Sequence, residues 1–227
     1  MVKPFEEWIK DRESNLRDVS EKLMLKDWSQ YRKLVAEAYE NAPEFDSNVV
    51  HHWNDLNESN HILFKRLLSK TKIILVSSED EMEGEMLYLQ DEPYEIQKVD
   101  GDPYPTQKIM KEDWERTGSL MISVDYSNHP IFSVADNVIF RCVHDFIVHI
   151  LGNHEFGDKG EIASYNNHAK IIPPSALPAL FTEVVGQACY AVERGTFPIQ
   201  KIALLEGFDY RNVGVVSGYK VVDKVLV

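Results

Sequence analysis

Hydrophobic residues recur at every third or fourth position over most of residues 1–70, which predicts a run of amphipathic helices. Three segments carry the pattern: FEEWIKDRESNLRDVSEKL, DWSQYRKLVAEAYENA and DSNVVHHWNDLNESNHILFKRLLSK. In the second, Trp28, Tyr31, Leu34, Val35 and Ala38 form one stripe, with Asp27 as the N-cap. The period then changes. TKIILVSS is a short β-branched run and LMISVDYS alternates apolar with polar, so residues 71–128 are expected to hold a small sheet. Between these runs, EDEMEGEMLYLQDEPYEIQKVDGDPYPT mixes acids, Gly and Pro with isolated aromatics, the pattern of a mobile loop with at most a hairpin. TQKIMKEDWERTG reads as a short helix closed by Gly118.

Helical spacing returns over residues 129–195, with wider apolar stripes. Ser133 and Asp136 form a capping-box-like start, and Val134, Val138, Ile139, Val143, Phe146, Ile147 and Ile150 carry a helix to Gly152. FGDKGEIASYNNHAKII sets a glycine turn before a second helix, and PPSALPALFTEVVGQACYAVERG opens on prolines and closes at Gly195. The tail, 196–227, reads as an apolar helix or strand and then a Val-rich stretch able to add an edge strand or mediate assembly. With no repeat and no long linker, the pattern predicts one α+β domain over 1–227, predominantly helical. Its parts are a helical scaffold (1–70), a small sheet and loop (71–128), a helical core carrying the polar motifs (129–195) and the tail.

Composition narrows the function classes. The 227 residues are 44% hydrophobic and 11% aromatic, enough for a substantial core. The net charge of -13 opposes a phosphate backbone, so direct nucleic-acid binding is not expected. The start MVKPFEEWIKDRE is too charged for a signal peptide, and no apolar run reaches the roughly 18 residues of a membrane span. Cys142 and Cys189 lie in apolar segments without a CxxC pairing, which predicts buried thiols in a reducing compartment.

FRCVHDFIVH concentrates Arg141, His144, Asp145 and His149 in an otherwise apolar helix, and burying such groups unpaired costs several kcal/mol or shifts their pKa. In a regular α-helix Asp145 and His149 share a face, whereas His144 and His149, five apart, diverge by roughly 140°. The zinc pattern HExxH is therefore not met. On the next helix Glu161 and His168 share a face with Tyr165 between them, and on the third Glu183 and Gln187 share one. Three successive helices with polar pairs predict convergence on one bundle-core site. A divalent ion (Zn, Fe or Mn) held by His144, Asp145, His149 and His168 satisfies the buried groups. Glu161 or Glu183 then serves as ligand or general base, Arg141 orients a carboxylate or an anionic substrate, and Gln187 and Tyr165 face the substrate. A His–Asp hydrogen bond with an arginine salt bridge satisfies the same groups without metal. Elsewhere, His51, His52 and His61 read as solvated or capping residues and the acidic run Glu79–Glu85 as a solvated surface. His129 reads as a turn residue or a cover for the site, and His154 and Glu155 as an exposed turn.

These motifs resemble a family of uncharacterised proteins of tailed bacteriophages. The resemblance rests on FRCVHDFIVH, FGDKGEIASYNNH and PALFTEVVGQ, with Asn128–Pro130 upstream, and is clearest over Pro103 to Gly195. Arg141, His144, Asp145, His149, Gly160, Glu161, His168, Thr182, Glu183, Gly186 and Gln187 match. Val148, Tyr165, Phe181 and Val185 stand where the family usually has glycine, tryptophan, threonine and arginine. The resemblance implies a phage protein of the infected host cytoplasm and groups the motif residues, but implies no reaction. The residues themselves are compatible with several classes. One is a metal-dependent hydrolase of a small molecule; another is a non-haem iron oxygenase. A third is an HD-type phosphohydrolase, from the His144–Asp145 doublet. The last is a non-enzymatic virion or host-interaction protein, monomeric or homo-oligomeric, with a structural polar core.

Overall fold

A computed structural model describes residues 28–213. The helix expected before Trp28, the Asp27 cap expected for the second helix and the Val-rich end of the tail lie outside the described residues. The fold is α+β and predominantly helical, with a small four-stranded mixed sheet. The described residues separate into two compact units, one of residues up to Leu56 and from His154 on, the other of Asn57–Asn153.

The unit of Asn57–Asn153 is built on the sheet. Strands β1 (Lys72–Ser77), β2 (Met86–Leu89), β3 (Glu92–Lys98) and β4 (Ser119–Ser123) lie in the order β2-β3-β1-β4. β1 runs parallel to both β3 and β4, and this central place matches its apolar sequence, with Leu75 and Val76 buried. The acidic stretch read as a loop contains the β2–β3 hairpin, and β3 then joins β1, so the sheet has two strands more than the two apolar runs announce. The hairpin turn places Gln90 and Asp91 at φ 52 and 69, as a two-residue turn of this type requires, yet without the usual Asn-Gly. Glu79 to Glu85 are solvated as expected, apart from a half-buried Met82.

Two helices complete this unit. Helix Gln107–Thr117 is capped by Thr106, whose hydroxyl accepts from the Ile109 N–H, and ends at Gly118 with φ 67. Helix Val134–His144 starts at a capping box in which Ser133 and Asp136 satisfy each other's backbone N–H groups. At its end the hydrogen-bond register widens into a π-helix, Asp145–Leu151, closed by Gly152 donating to the Ile147 carbonyl. Asp136 also accepts from His61 Nε2 at 2.6 Å, while Gln90 Nε2 meets His61 Nδ1 at 2.9 Å. His61 thus ties helix Val50–Leu67 to the start of the motif helix.

The other unit is helical. In order it contains α1 (Trp28–Asn41), the first turns of Val50–Leu67, helix Asp158–His168, a short helix Leu177–Leu180, a second π-helix Phe181–Gly186, and helix Gln187–Arg194. The expected stripe of α1 is buried at Tyr31 and Val35, together with Ala36 and Tyr39. Gly195 closes the last helix at φ 69. Residues 196–213 form neither helix nor strand beyond isolated bridges, among them that between Phe45 and Ile202. Their backbone is pinned instead by tertiary bonds, such as Tyr39 Oη donating to the Ile199 carbonyl at 2.9 Å.

Gly186 shows how tight this packing is. A Cβ there would lie 2.7 Å from Tyr39 Cδ2 and 2.9 Å from Leu205 Cδ1, so only glycine lets the π-helix approach α1. Gly186→Ala is expected to lower stability by about 1–3 kcal/mol, read as a shift in urea midpoint; an unchanged midpoint contradicts this packing. A second outcome concerns acid. Burial works to raise the Asp136 pKa, but hydrogen bonds from Ser133, His61 and Asn57 outweigh it and hold the pKa below the ordinary carboxylate value. The stability contributed is therefore present above about pH 4 and lost as pH falls through the depressed folded value. Between about pH 5 and 3, denaturation of the wild type should steepen relative to Asp136→Asn; parallel profiles contradict the assignment.

Candidate metal centre

The decisive local feature is the π-helix. In a π-helix the hydrogen bonds run from residue i to i+5, so side chains five apart come over one another as those four apart do in an α-helix. His144 and His149 bracket this segment, and their rings stand edge-on with centroids 5.1 Å apart. This corrects the expected divergence of the two histidines. The α-helical angle does not hold over Asp145–Leu151, which is a π-helix.

His144 and His149 are 9% and 2% exposed, among Phe146, Ile147, Val148 and Ile150, all buried. Each offers a ring nitrogen and Glu161 offers a carboxylate oxygen, and these three atoms lie within 4.8 Å of one another, a group that could hold a metal ion. No other such group of His, Cys, Asp or Glu occurs among the described residues.

Local sequence explains where Glu161 stands. It lies in the first turn of Asp158–His168, after Gly157 at φ 101, and its carboxylate accepts from Ser164 Oγ one turn later at 3.3 Å. Asp158 opens that helix and accepts from Trp28 Nε1 and Arg32 Nη1, both at 2.9 Å, while Arg32 also pairs with Glu193. A Cβ on Gly160 would fall 1.6 Å from the Glu155 carbonyl oxygen, so glycine beside Glu161 is required by the close approach of backbone.

The remaining motif residues are placed differently. Asp145 and His168 are not members of the three-residue group. Asp145 is half-buried on the π-helix, and His168 is fully buried at the end of Asp158–His168. Glu183 and Gln187 do share a face, with Gln187 Nε2 donating to Glu183 Oε2 at 2.7 Å; Trp53 Nε1 donates to the other oxygen at 2.7 Å. Thr182 Oγ1 donates to the Ala203 carbonyl at 2.8 Å. Tyr165 is fully buried, its hydroxyl donating to the Tyr210 carbonyl, and burial pushes that phenol well above its ordinary pKa. Arg141 donates to the carbonyls of Ser123, Asp125 and Tyr126 at 3.0, 2.8 and 2.9 Å. Its guanidinium clamps the loop after β4, and its burial lowers its pKa against the attraction of Asp145.

Other histidines meet hydrogen-bond partners, and both cysteines are buried. His129 Nδ1 accepts from the Phe132 N–H at 3.0 Å while the ring stacks on Phe132, which makes it a turn residue. His51 and His52 meet the carbonyls of Asn48 and Ser175. His154 corrects the exposed-turn reading of its segment: it is buried, and its Nε2 meets Asn167 Nδ2 at 2.8 Å. Cys142 and Cys189 are buried free thiols whose pKa burial raises, as expected of small hydrophobes. Sequence reading passed over Trp53, Ser164 and Gln107. Each looks like an ordinary core, helix-surface or helix-start residue until the chain is folded.

Because Glu183 is 8% exposed and accepts from Trp53 Nε1 and Gln187 Nε2, Trp53→Phe should remove one buried hydrogen bond to a carboxylate. The expected loss is about 1–3 kcal/mol of stability, with cation affinity unchanged. A variant of wild-type stability would remove Glu183 from the structural network. Comparison with known proteins supplies no relative: no family model, no curated protein and no solved structure matches the chain.

Proposed function

We propose that this chain is a phage-encoded, metal-dependent hydrolase whose divalent ion is held by His144, His149 and Glu161. The observation that carries the reading is the meeting of two imidazoles and one carboxylate in a largely apolar surround. Two histidines and a carboxylate are a common catalytic set, because three protein ligands leave a coordination position for water or substrate. When bound, such an ion lowers the pKa of its water towards neutrality and polarises an acceptor carbonyl or phosphoryl oxygen. The chain's own residues complete the chemistry. Ser164 orients Glu161, and the buried surround fixes both imidazoles. Asp145, half-buried on the π-helix beside His144, is the carboxylate we assign to proton transfer. The substrate class is a small molecule, and the infected host cytoplasm is the compartment that the phage resemblance suggests.

A second reading has its own support. Glu183, Gln187, Thr182, Arg141 and Tyr165 direct their polar atoms at internal partners, as expected of a non-enzymatic phage protein whose polar core fixes helix packing. Metal analysis separates the two. Protein purified without a metal-binding tag should carry about one equivalent of Zn, Fe or Mn. His144→Ala, His149→Ala and Glu161→Gln should each lose it, lowering affinity by at least about tenfold. Full-length protein that takes up no divalent ion, with the three variants altered only in thermal stability, would establish the structural reading instead.

A further inference from the structure

The π-helix leaves its last carbonyls without helical donors. Gly152 N–H reaches back to Ile147, so the carbonyls of residues 148–151 must find partners elsewhere. One of them belongs to His149. Gln107, the first residue of helix Gln107–Thr117, meets it: its buried side chain donates Nε2 to the His149 carbonyl oxygen at 2.6 Å. The same amide nitrogen lies 3.4 Å from Asn153 Oδ1, and Lys111, one turn further along the same helix, donates Nζ to that oxygen at 2.7 Å. Asn153 holds a left-handed backbone at φ 55, which ends the helical path just after Gly152. Gln107 and Lys111 are four apart and therefore present one face to the end of the π-helix.

We propose that Gln107 is a positioning residue for His149, fixing the π register that brings the second imidazole over the first. The inference rests on the metal reading above and adds a residue to it. The bond does not touch the imidazole. It holds the peptide from which the imidazole projects, near the end of the π-helix. Without it, the carbonyl must turn to another donor, and the most direct way is a local change of hydrogen-bond register towards α. That change rotates His149 away from His144, since in an α-helix residues five apart do not share a face.

Co(II) is the probe for the test, because its visible absorption reports ligand number and geometry. Gln107→Met removes the donor and keeps the length, and Gln107→Glu keeps the shape but presents an acceptor to an acceptor. Both, with wild type, are titrated with Co(II) well below their unfolding temperatures. The expected result is Co(II) affinity about 10-fold to 100-fold weaker in both variants, with an altered visible spectrum at saturation. Lys111→Ala, which breaks the neighbouring exposed bond, should keep the wild-type spectrum. If both Gln107 variants bind Co(II) with wild-type affinity and spectrum while merely melting earlier, Gln107 is a structural cap and the proposal is overturned. Should one variant fail to fold, the other decides by the same readout. Wild type that binds no Co(II) overturns the metal reading itself, an outcome distinct from the first.

Discussion

Two imidazoles five residues apart can share a ligand only if the backbone between them is wound more widely than an α-helix. The segment Asp145–Leu151 meets that condition, and the candidate centre depends on it. π-Helices are rare because they pack less well along the axis, so something must hold one open. Phe146, Ile147, Val148 and Ile150 are all buried, and side chains of this kind contribute about 1.5–3 kcal/mol each when fully removed from water. These buried side chains favour whichever winding keeps all four in the core. The last carbonyls then need donors from outside the helix, which is where Gln107 enters.

The polar motifs divide into two kinds by where their atoms point. Glu183, Gln187 and Trp53 close on one another, Thr182 and Tyr165 reach carbonyls, and Arg141 reaches three more. Such groups satisfy burial and fix packing. His144, His149 and Glu161 instead form a group of potential ligand atoms that could hold a metal ion. Sequence spacing does not separate the two kinds, since both look like polar residues on an apolar helix. The glycines next to them have a backbone cause: Gly160 lies under the Glu155 carbonyl, and Gly186 lies against Tyr39 and Leu205.

Local chemistry alone determined a good deal. The capping box at Ser133 and Asp136, the Thr106 helix start with its Gly118 end, the stripe of α1, the strands β1 and β4 and the closing Gly195 could all be read before folding. Each depends on residues within a few positions of one another, where propensity and hydrogen bonding act. The hairpin inside the acidic stretch was faint for the same reason in reverse: its turn is Gln90-Asp91, not the glycine-bearing pair that normally marks such a turn, and its edge strand exposes much of its side-chain surface.

Only the tertiary structure decided the register of the motif helix and hence which polar residues meet. A π-helix has no local sequence signature comparable to a cap, because its extra residue is tolerated through contacts with distant segments, here Gln107 from another helix. The same holds for the burial of His154 and for the placement of Glu183 under Trp53, which join residues 13 and 130 positions from their partners. Short-range patterns in the chain specify elements and their ends. Long-range contacts, summed over a packed interior, choose among the windings and orientations those elements can adopt.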